Sequence, residues 1–496
     1  LLRFIICVLL CLPLCGYGAY VFSPECQHAY ALTFRGSFEE ARRSLSVEKE
    51  KSPDNAAIDY LLVLNAFMAT ITVEDPVGDQ SFLDDQIPHL QALEQSTKHP
   101  FKLYALGEAY LQRGMVALRL GNYVNGLLDL KKSYGLLERN LKEYPSFPLT
   151  KKPLYTLQGI LSNVPDTYKP IFEFFGYQTD QYVALAELDK LQQALRTDPY
   201  YGFFRREVEL VRGIMTQALT DRHDDAYAII KAITTDYGSN PLACYVTGKM
   251  ALDTKRTDEA IEILLHYAGE KAPFQFMNYD LGNAYLYSHN KLCLKYFAVF
   301  ISHSPGPGLK NDAYLRLAWW GHLTRDTAMR SLWLGFIQDP YPSAREKDKV
   351  AIEEGKILEM THPDLLAARL WFDGGYYSTA LRAMEGQEAA FATSPFNHIR
   401  HLYLKARILE EMGKYHEAMM AYDQVTALPF HYEEYFVPVA YFRKGCICET
   451  ALQEPKKALA HYRTCLTFKN YPYAATYKYK CQLGLNRLEG TGPGGK

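Results

Sequence analysis

One pattern of apolar, small and polar positions recurs along this chain. A glycine in a polar turn is followed two residues later by an aromatic residue and five residues later by a small one, and apolar positions then resume at helical spacing. The pattern reads Gly36, Phe38, Ala41 in FRGSFEEARRSL and Gly121, Tyr123, Gly126 in LRLGNYVNGLLDL. It returns as Gly375, Tyr377, Ala380 in WFDGGYYSTAL and as Gly413, Tyr415, Ala418 in EEMGKYHEAMMAY. Three further segments carry parts of it: Gly248 with Ala260, the run LGNAYLY from Leu281 to Tyr287, and PKKALAHYRTCL with Ala458 and Tyr462. Each set predicts two helices joined by a tight turn. The glycine ends the first helix and lets the chain reverse, and the small residue lets the second helix lie close against the first. A single hairpin cannot cover its own apolar face, so the hairpins must stack. The pattern therefore predicts an all-α array of helical hairpins.

Two stretches interrupt the array. Pro145, Pro148, Pro153, Pro165 and Pro170 predict an irregular helical bend over 145–177, and Pro340 and Pro342 precede a charged run in a connector over 339–363. The charged run reads as a solvated helix. Repeats are then expected over 20–144, 178–338 and 364–489, with a flexible glycine-rich tail at 490–496. The first nineteen residues differ in kind. Arg3 precedes the apolar run Phe4–Cys15, and Gly16, Gly18 and Ala19 follow it. That order is the signature of a secretory signal peptide over 1–19. The expected location is outside the cytoplasm, in the periplasm or the cell envelope. Membrane contact is expected only through that segment, if it is retained or replaced by a lipid anchor.

Composition narrows the function classes. Hydrophobic residues make up 48% and charged residues 22% of 496, enough for an ordered core. A formal net charge of −2 with no basic block argues against nucleic-acid binding. Tyrosine is abundant, at 38 against 4 tryptophans, and suits half-buried surfaces that also offer a hydroxyl. Seven cysteines follow the signal segment, an odd number at irregular spacing, so no disulfide framework is expected, and a Cys465–Cys481 or similar disulfide is the pairing to weigh. Cys446 and Cys448 lie two apart on a helix and face different ways, which is poor chelating geometry. His398 and His401 find no third ligand at a useful spacing, and Asp224 and Asp225 read as the acidic start of a helix. No P-loop, HExxH or GxSxG pattern is present. The chain is expected to be non-catalytic, with no metal or cofactor.

The hairpin units resemble the tetratricopeptide repeat superfamily. That resemblance implies a right-handed superhelical solenoid of antiparallel helix pairs whose first helices line a concave groove. It also implies which residues face the groove: Tyr245 and Lys249, then Tyr279, Asn283 and Tyr287, then Tyr403, Arg407 and Glu410. Tyr245, Tyr279 and Tyr403 occupy one equivalent position and would form an aromatic ladder for an extended peptide or for sugar rings. The implied function is a scaffold that binds a protein or peptide partner, with a glycan-binding component of outer-membrane nutrient uptake as the alternative. The carboxylate clamp of chaperone-binding repeats needs Lys and Asn. Asn283 matches, but Tyr245 and Tyr279 stand where Lys is required, so chaperone-tail binding is not expected. The segments VPDTYKPIF, LAWWGHLTRD and ARLWFDGGYY also resemble a family of exported tetratricopeptide proteins in Bacteroidota that has no assigned activity.

Overall fold

The computed structural model describes residues 20–162, 181–339 and 346–490, apart from residues 74, 221 and 432. The segment 1–19, the second part of the Pro-rich bend (163–177) and the tail from 491 lie outside the described residues. What is described is an all-α solenoid of tetratricopeptide-type helix pairs, most helices packing most heavily on their hairpin partner. Among the described residues no helix is long and apolar enough to cross a membrane.

The turn chemistry explains the hairpins. Gly36, Gly121, Gly375 and Gly413 all take positive φ, between 72° and 85°, a region closed to most side chains. They join Pro24–Thr33 to Phe38–Lys51, Pro100–Arg119 to Tyr123–Glu143, Pro363–Asp373 to Tyr377–Met384, and Pro395–Glu411 to Tyr415–Thr426. Between these, Arg205–Leu219 pairs with His223–Ile233, Pro241–Asp253 with Thr257–Leu264, Phe276–Tyr287 with Leu292–His303, and Lys310–Leu323 with Thr327–Leu334. Phe436–Thr450 pairs with Pro455–Thr467, and Ala474–Glu489 covers the last pair. Within a pair the helices approach closely: a Cβ on Gly248 would stand 2.5 Å from Leu264, and one on Gly282 would stand 2.9 Å from Phe297.

Three features depart from a regular stack. After Ala56–Ile71 the second arm is split into Pro76–Asp85 and Ile87–Gln95, because Pro88 sits in the first turn of a new helix. The charged run forms a helix as expected, Glu346–Ile357, but not a fully solvated one, because Asp348 and Ala351 are fully buried. The Asp348 carboxylate accepts from the backbone N–H of Leu309 (2.7 Å) and of Asp312 (3.1 Å), and so caps the start of Lys310–Leu323. This helix packs on Lys310–Leu323 as part of the array. Third, the solenoid curls tightly enough for units far apart in sequence to touch. Arg35 donates to the Ser239 carbonyl (3.1 Å), and Phe38 meets the Phe274 ring at 6.1 Å. Further on, Thr257 donates to the Gly374 carbonyl (2.8 Å), and His289 stacks on Trp371 at 4.2 Å.

The described cysteines are all free thiols, Cys465 and Cys481 among them, and all but Cys446 are buried.

Candidate partner-binding channel

The inner helices meet two different fates. In the N-terminal half the helices Pro24–Thr33, Ala56–Ile71, Pro100–Arg119, Lys151–Ser162 and Arg205–Leu219 close around one core. Its centre is polar. The buried Lys152 ammonium donates to Glu108 (2.6 Å) and to Glu207 (2.5 Å). Tyr30 donates to the second oxygen of Glu207 (2.8 Å), Tyr60 to the second oxygen of Glu108 (3.1 Å), and the hydroxyls of Tyr60 and Tyr104 lie 2.9 Å apart. Burial holds the Tyr30, Tyr60 and Tyr104 hydroxyls well above the usual phenol range, and raises Glu207 against the pull of Lys152. Burial pulls the Lys152 ammonium down, but Glu108 and Glu207 outweigh it and leave its pKa raised. This face is filled and cannot admit a ligand.

From Pro241 onward the inner face carries paired charged groups and opens only towards its C-terminal end. At its N-terminal end Asp280 is 2% exposed, and its Oδ2 makes no hydrogen bond among the described residues. Burial raises its pKa to about 6 against the pull of Lys249. Next, Arg316 pairs with Asp312 through two 3.0 Å bonds and lies 4.2 Å from the Trp319 ring. Arg369 pairs with Glu354 through bonds of 2.9 and 3.0 Å. Burial raises the Asp373 carboxyl, whose closest cation is Arg369 at 3.9 Å. Lys255 reaches in from a hairpin turn over the Phe372 ring at 3.5 Å, and burial lowers its amine to about 8 against Glu411.

At its C-terminal end the inner face opens into a channel-like cavity of about 540 Å³. Its floor is apolar, with Leu358, Leu365, Leu366 and Leu404. Arg369, Arg400 and Arg407 reach its wall together with Glu354, Asp373 and the rings of Tyr403, Tyr435, Tyr473 and Tyr477. Arg400 and Arg407 are two turns apart on Pro395–Glu411 and so share a face, with Tyr403 between them.

The eight groove residues singled out from the sequence divide accordingly. Tyr403 and Arg407 line the cavity, and Glu410 lies just beside it, accepting from Tyr422 (2.6 Å) and pairing with Arg407. Tyr245, Lys249 and Tyr287 are half-buried in the upstream part of the array. There Lys249 pairs with Asp253. Tyr279 and Asn283 are enclosed, at 2% and 3% exposed. Tyr279 donates to Asp312 (2.6 Å), and Asn283 donates to the Tyr279 carbonyl (3.0 Å). The equivalent tyrosines 245, 279 and 403 therefore do not present one continuous exposed ladder. Arg400 stands in the same helical face as Tyr403 and Arg407, so the register that marks those two also marks it. Arg369 and Asp373 stand four apart on one helix, a spacing legible in the sequence, but the Glu354 that bonds Arg369 comes from another helix and carries no local signal. His401 is buried against Phe391, with ring centres 4.9 Å apart.

The tetratricopeptide repeat family matches residues 400–430, the hairpin that carries Tyr403, Arg407 and Glu410. No curated protein sequence matches the chain. Among solved structures it is similar to a human IFIT1 dimer with m7Gppp-AAAA, at 13% identity over 95% of this chain and 82% of that one, with a TM-score of 0.30. It is also similar to yeast Tom70, at 12% identity over 93% of this chain and 95% of that one, with a TM-score of 0.29.

Proposed function

We propose that this chain is an exported, non-catalytic scaffold that holds a segment of a protein partner in the C-terminal channel. The observation that carries the reading is the contrast along the inner face. In the N-terminal half the inner tyrosines bond to carboxylates inside a closed core. At the C-terminal end, Tyr403, Tyr435, Tyr473 and Tyr477 line a cavity with hydroxyls that form no hydrogen bond among the described residues. Rings that offer an apolar face and an unused hydroxyl suit a binding wall. Export rests on the order of charge, apolar run and small residues over 1–19. The resemblance of VPDTYKPIF, LAWWGHLTRD and ARLWFDGGYY to exported Bacteroidota repeat proteins supports the same reading.

The test is site-specific photo-crosslinking in the producing cell. A benzophenone side chain is placed at Tyr477 in the channel and, as a control, at Met420 on an exposed outer helix position. Capture of the same protein segment from Tyr477 and not from Met420 supports the scaffold. Capture of an oligosaccharide instead would move the glycan reading to first place. Fractionation of the same cells tests export: a product found only in the cytoplasm would remove that part.

A further inference from the structure

We infer that the cavity takes a carboxylate borne on an apolar segment of the partner; the inference rests on the scaffold reading and adds the chemistry of what is held. The cavity wall holds more unused donors than unused acceptors. The Arg369 guanidinium spends two nitrogens on Glu354. Arg400 spends one nitrogen, which donates to the Phe396 carbonyl and to Glu434 (both 3.0 Å). Arg407 spends one on Glu411 (2.9 Å), and its buried Nε faces Glu410 at 3.4 Å without making a hydrogen bond. Nε and Nη2 of Arg400, Nη1 of Arg407 and Nε of Arg369 likewise donate to nothing among the described residues. A guanidinium carries five N–H donors in a fixed fork and no acceptor.

Every carboxylate beside the wall but one already accepts: Glu354 has both oxygens on Arg369, Glu410 accepts from Tyr422, and Glu411 and Glu434 each use one oxygen, on Arg407 and on Arg400. Asp373 is the exception, and it stands beside Arg369 and Lys255. A ligand that brings donors finds one open carboxylate here. A ligand that brings an acceptor finds unused N–H groups on three arginines.

Charge sets how much anion the wall accepts. Lys255, Arg316, Arg369, Arg400, Arg407 and Arg443 are balanced by Asp312, Glu354, Asp373, Glu410, Glu411 and Glu434. A balanced wall has no field to gather a polyanion, whose binding draws on many unpaired cations. It suits a singly charged group that arrives with geometry in its favour, and a carboxylate matches the guanidinium fork. The leucine floor and tyrosine rim supply the apolar half. The residue beside the carboxylate is therefore a branched aliphatic or aromatic one, of a size that a volume of about 540 Å³ admits. The carboxylate has two sources, an acidic side chain or a chain terminus.

The experiment uses the immobilised full chain and degenerate hexapeptide libraries, with retained peptides sequenced by mass spectrometry. One library is C-terminally amidated, so that only Asp and Glu carry carboxylates. A second lacks Asp and Glu and has free C-termini. A third is the first after methyl esterification. Retention of the first, enriched in Asp or Glu next to Leu, Ile, Phe or Tyr, identifies side chains; retention of the second identifies the terminus. In either case at least a tenfold loss is expected on esterification of the carboxylate and in the R400Q/R407Q variant. Retention indifferent to esterification, or none from either unesterified library, overturns the inference. The esterification arm uses the native chain, so it decides even if the variant fails to fold. If the Tyr477 crosslink succeeds and esterification has no effect, the scaffold stands and this chemistry falls.

Discussion

The two halves of the inner face use the same side chains to opposite ends. In the N-terminal half Tyr30, Tyr60 and Tyr104 turn inward, find carboxylates and leave no room. In the C-terminal half Tyr403, Tyr435, Tyr473 and Tyr477 line a cavity with unused hydroxyls. The difference is one of enclosure. Five inner helices close on themselves around Lys152, and a buried lysine must then be matched with acceptors. Where the inner helices stay apart, charges pair along the wall and keep donors to spare. Closure makes the polar groups structural, and the open wall leaves them available.

The sharpest way to break this comparison is to remove its central cation. Lys152→Leu leaves Glu108 and Glu207 facing each other in the core, and should cost about 3–5 kcal/mol in urea unfolding at pH 8. Glu207 already has a raised folded pKa. Its favourable contribution is therefore present at low pH and lost as pH rises through that folded value. The variant's deficit should shrink at pH 5, and an equal deficit at both pH values would refute the buried-carboxylate explanation.

A second test compares two glycines in the same place of the repeat. Gly375 has φ +84°, and a Cβ there would lie 2.1 Å from the Lys255 carbonyl oxygen; Gly413 has φ +72° with open space around it. Gly375→Ala should cost about 3 kcal/mol and Gly413→Ala about 1 kcal/mol in thermal unfolding, the excess measuring the contact between distant units. Equal costs would show that this contact contributes nothing.

Asp280→Asn sharpens the reading of the inner face upstream of the channel. The folded carboxyl titrates at about 6, above the ordinary value, so its contribution is full at acid pH and lost as pH rises towards and past 6. The amide has no such loss. The variant should gain about 1–2 kcal/mol at pH 8 and nothing at pH 4. The smallest stability effect is expected from Arg407→Gln, on the half-open wall: within about 1 kcal/mol by urea unfolding, a fraction of the Lys152→Leu cost. A larger loss would mean that the open wall is as structural as the closed one.

What was legible in the sequence follows from range. The hairpins were legible because Gly, aromatic and small residue all act within five positions, as at Gly413, Tyr415 and Ala418. Tyr403 and Arg407 were legible because their helix register is local. Which equivalent tyrosine is open was not: Tyr279 is enclosed because Asp312, from the next unit, meets its hydroxyl. The Glu346–Ile357 run looked solvated because its charges dominate the pattern. Asp348 is buried because it caps a helix 36 residues earlier, at Asp312. The N-terminal closure joins residues as far apart as Tyr30 and Glu207, and no single residue announces it.

The contacts that skip units bear on how this protein can change over time. An open repeat array lengthens or shortens by whole units, since each touches only its neighbours. Here Arg35 meets Ser239 and Thr257 meets Gly374 across several intervening hairpins. Duplicating or deleting any unit between them would rotate these partners apart. The number of hairpins between each pair of contacts is thus held fixed by the fold, and variation is confined to side chains and to the ends.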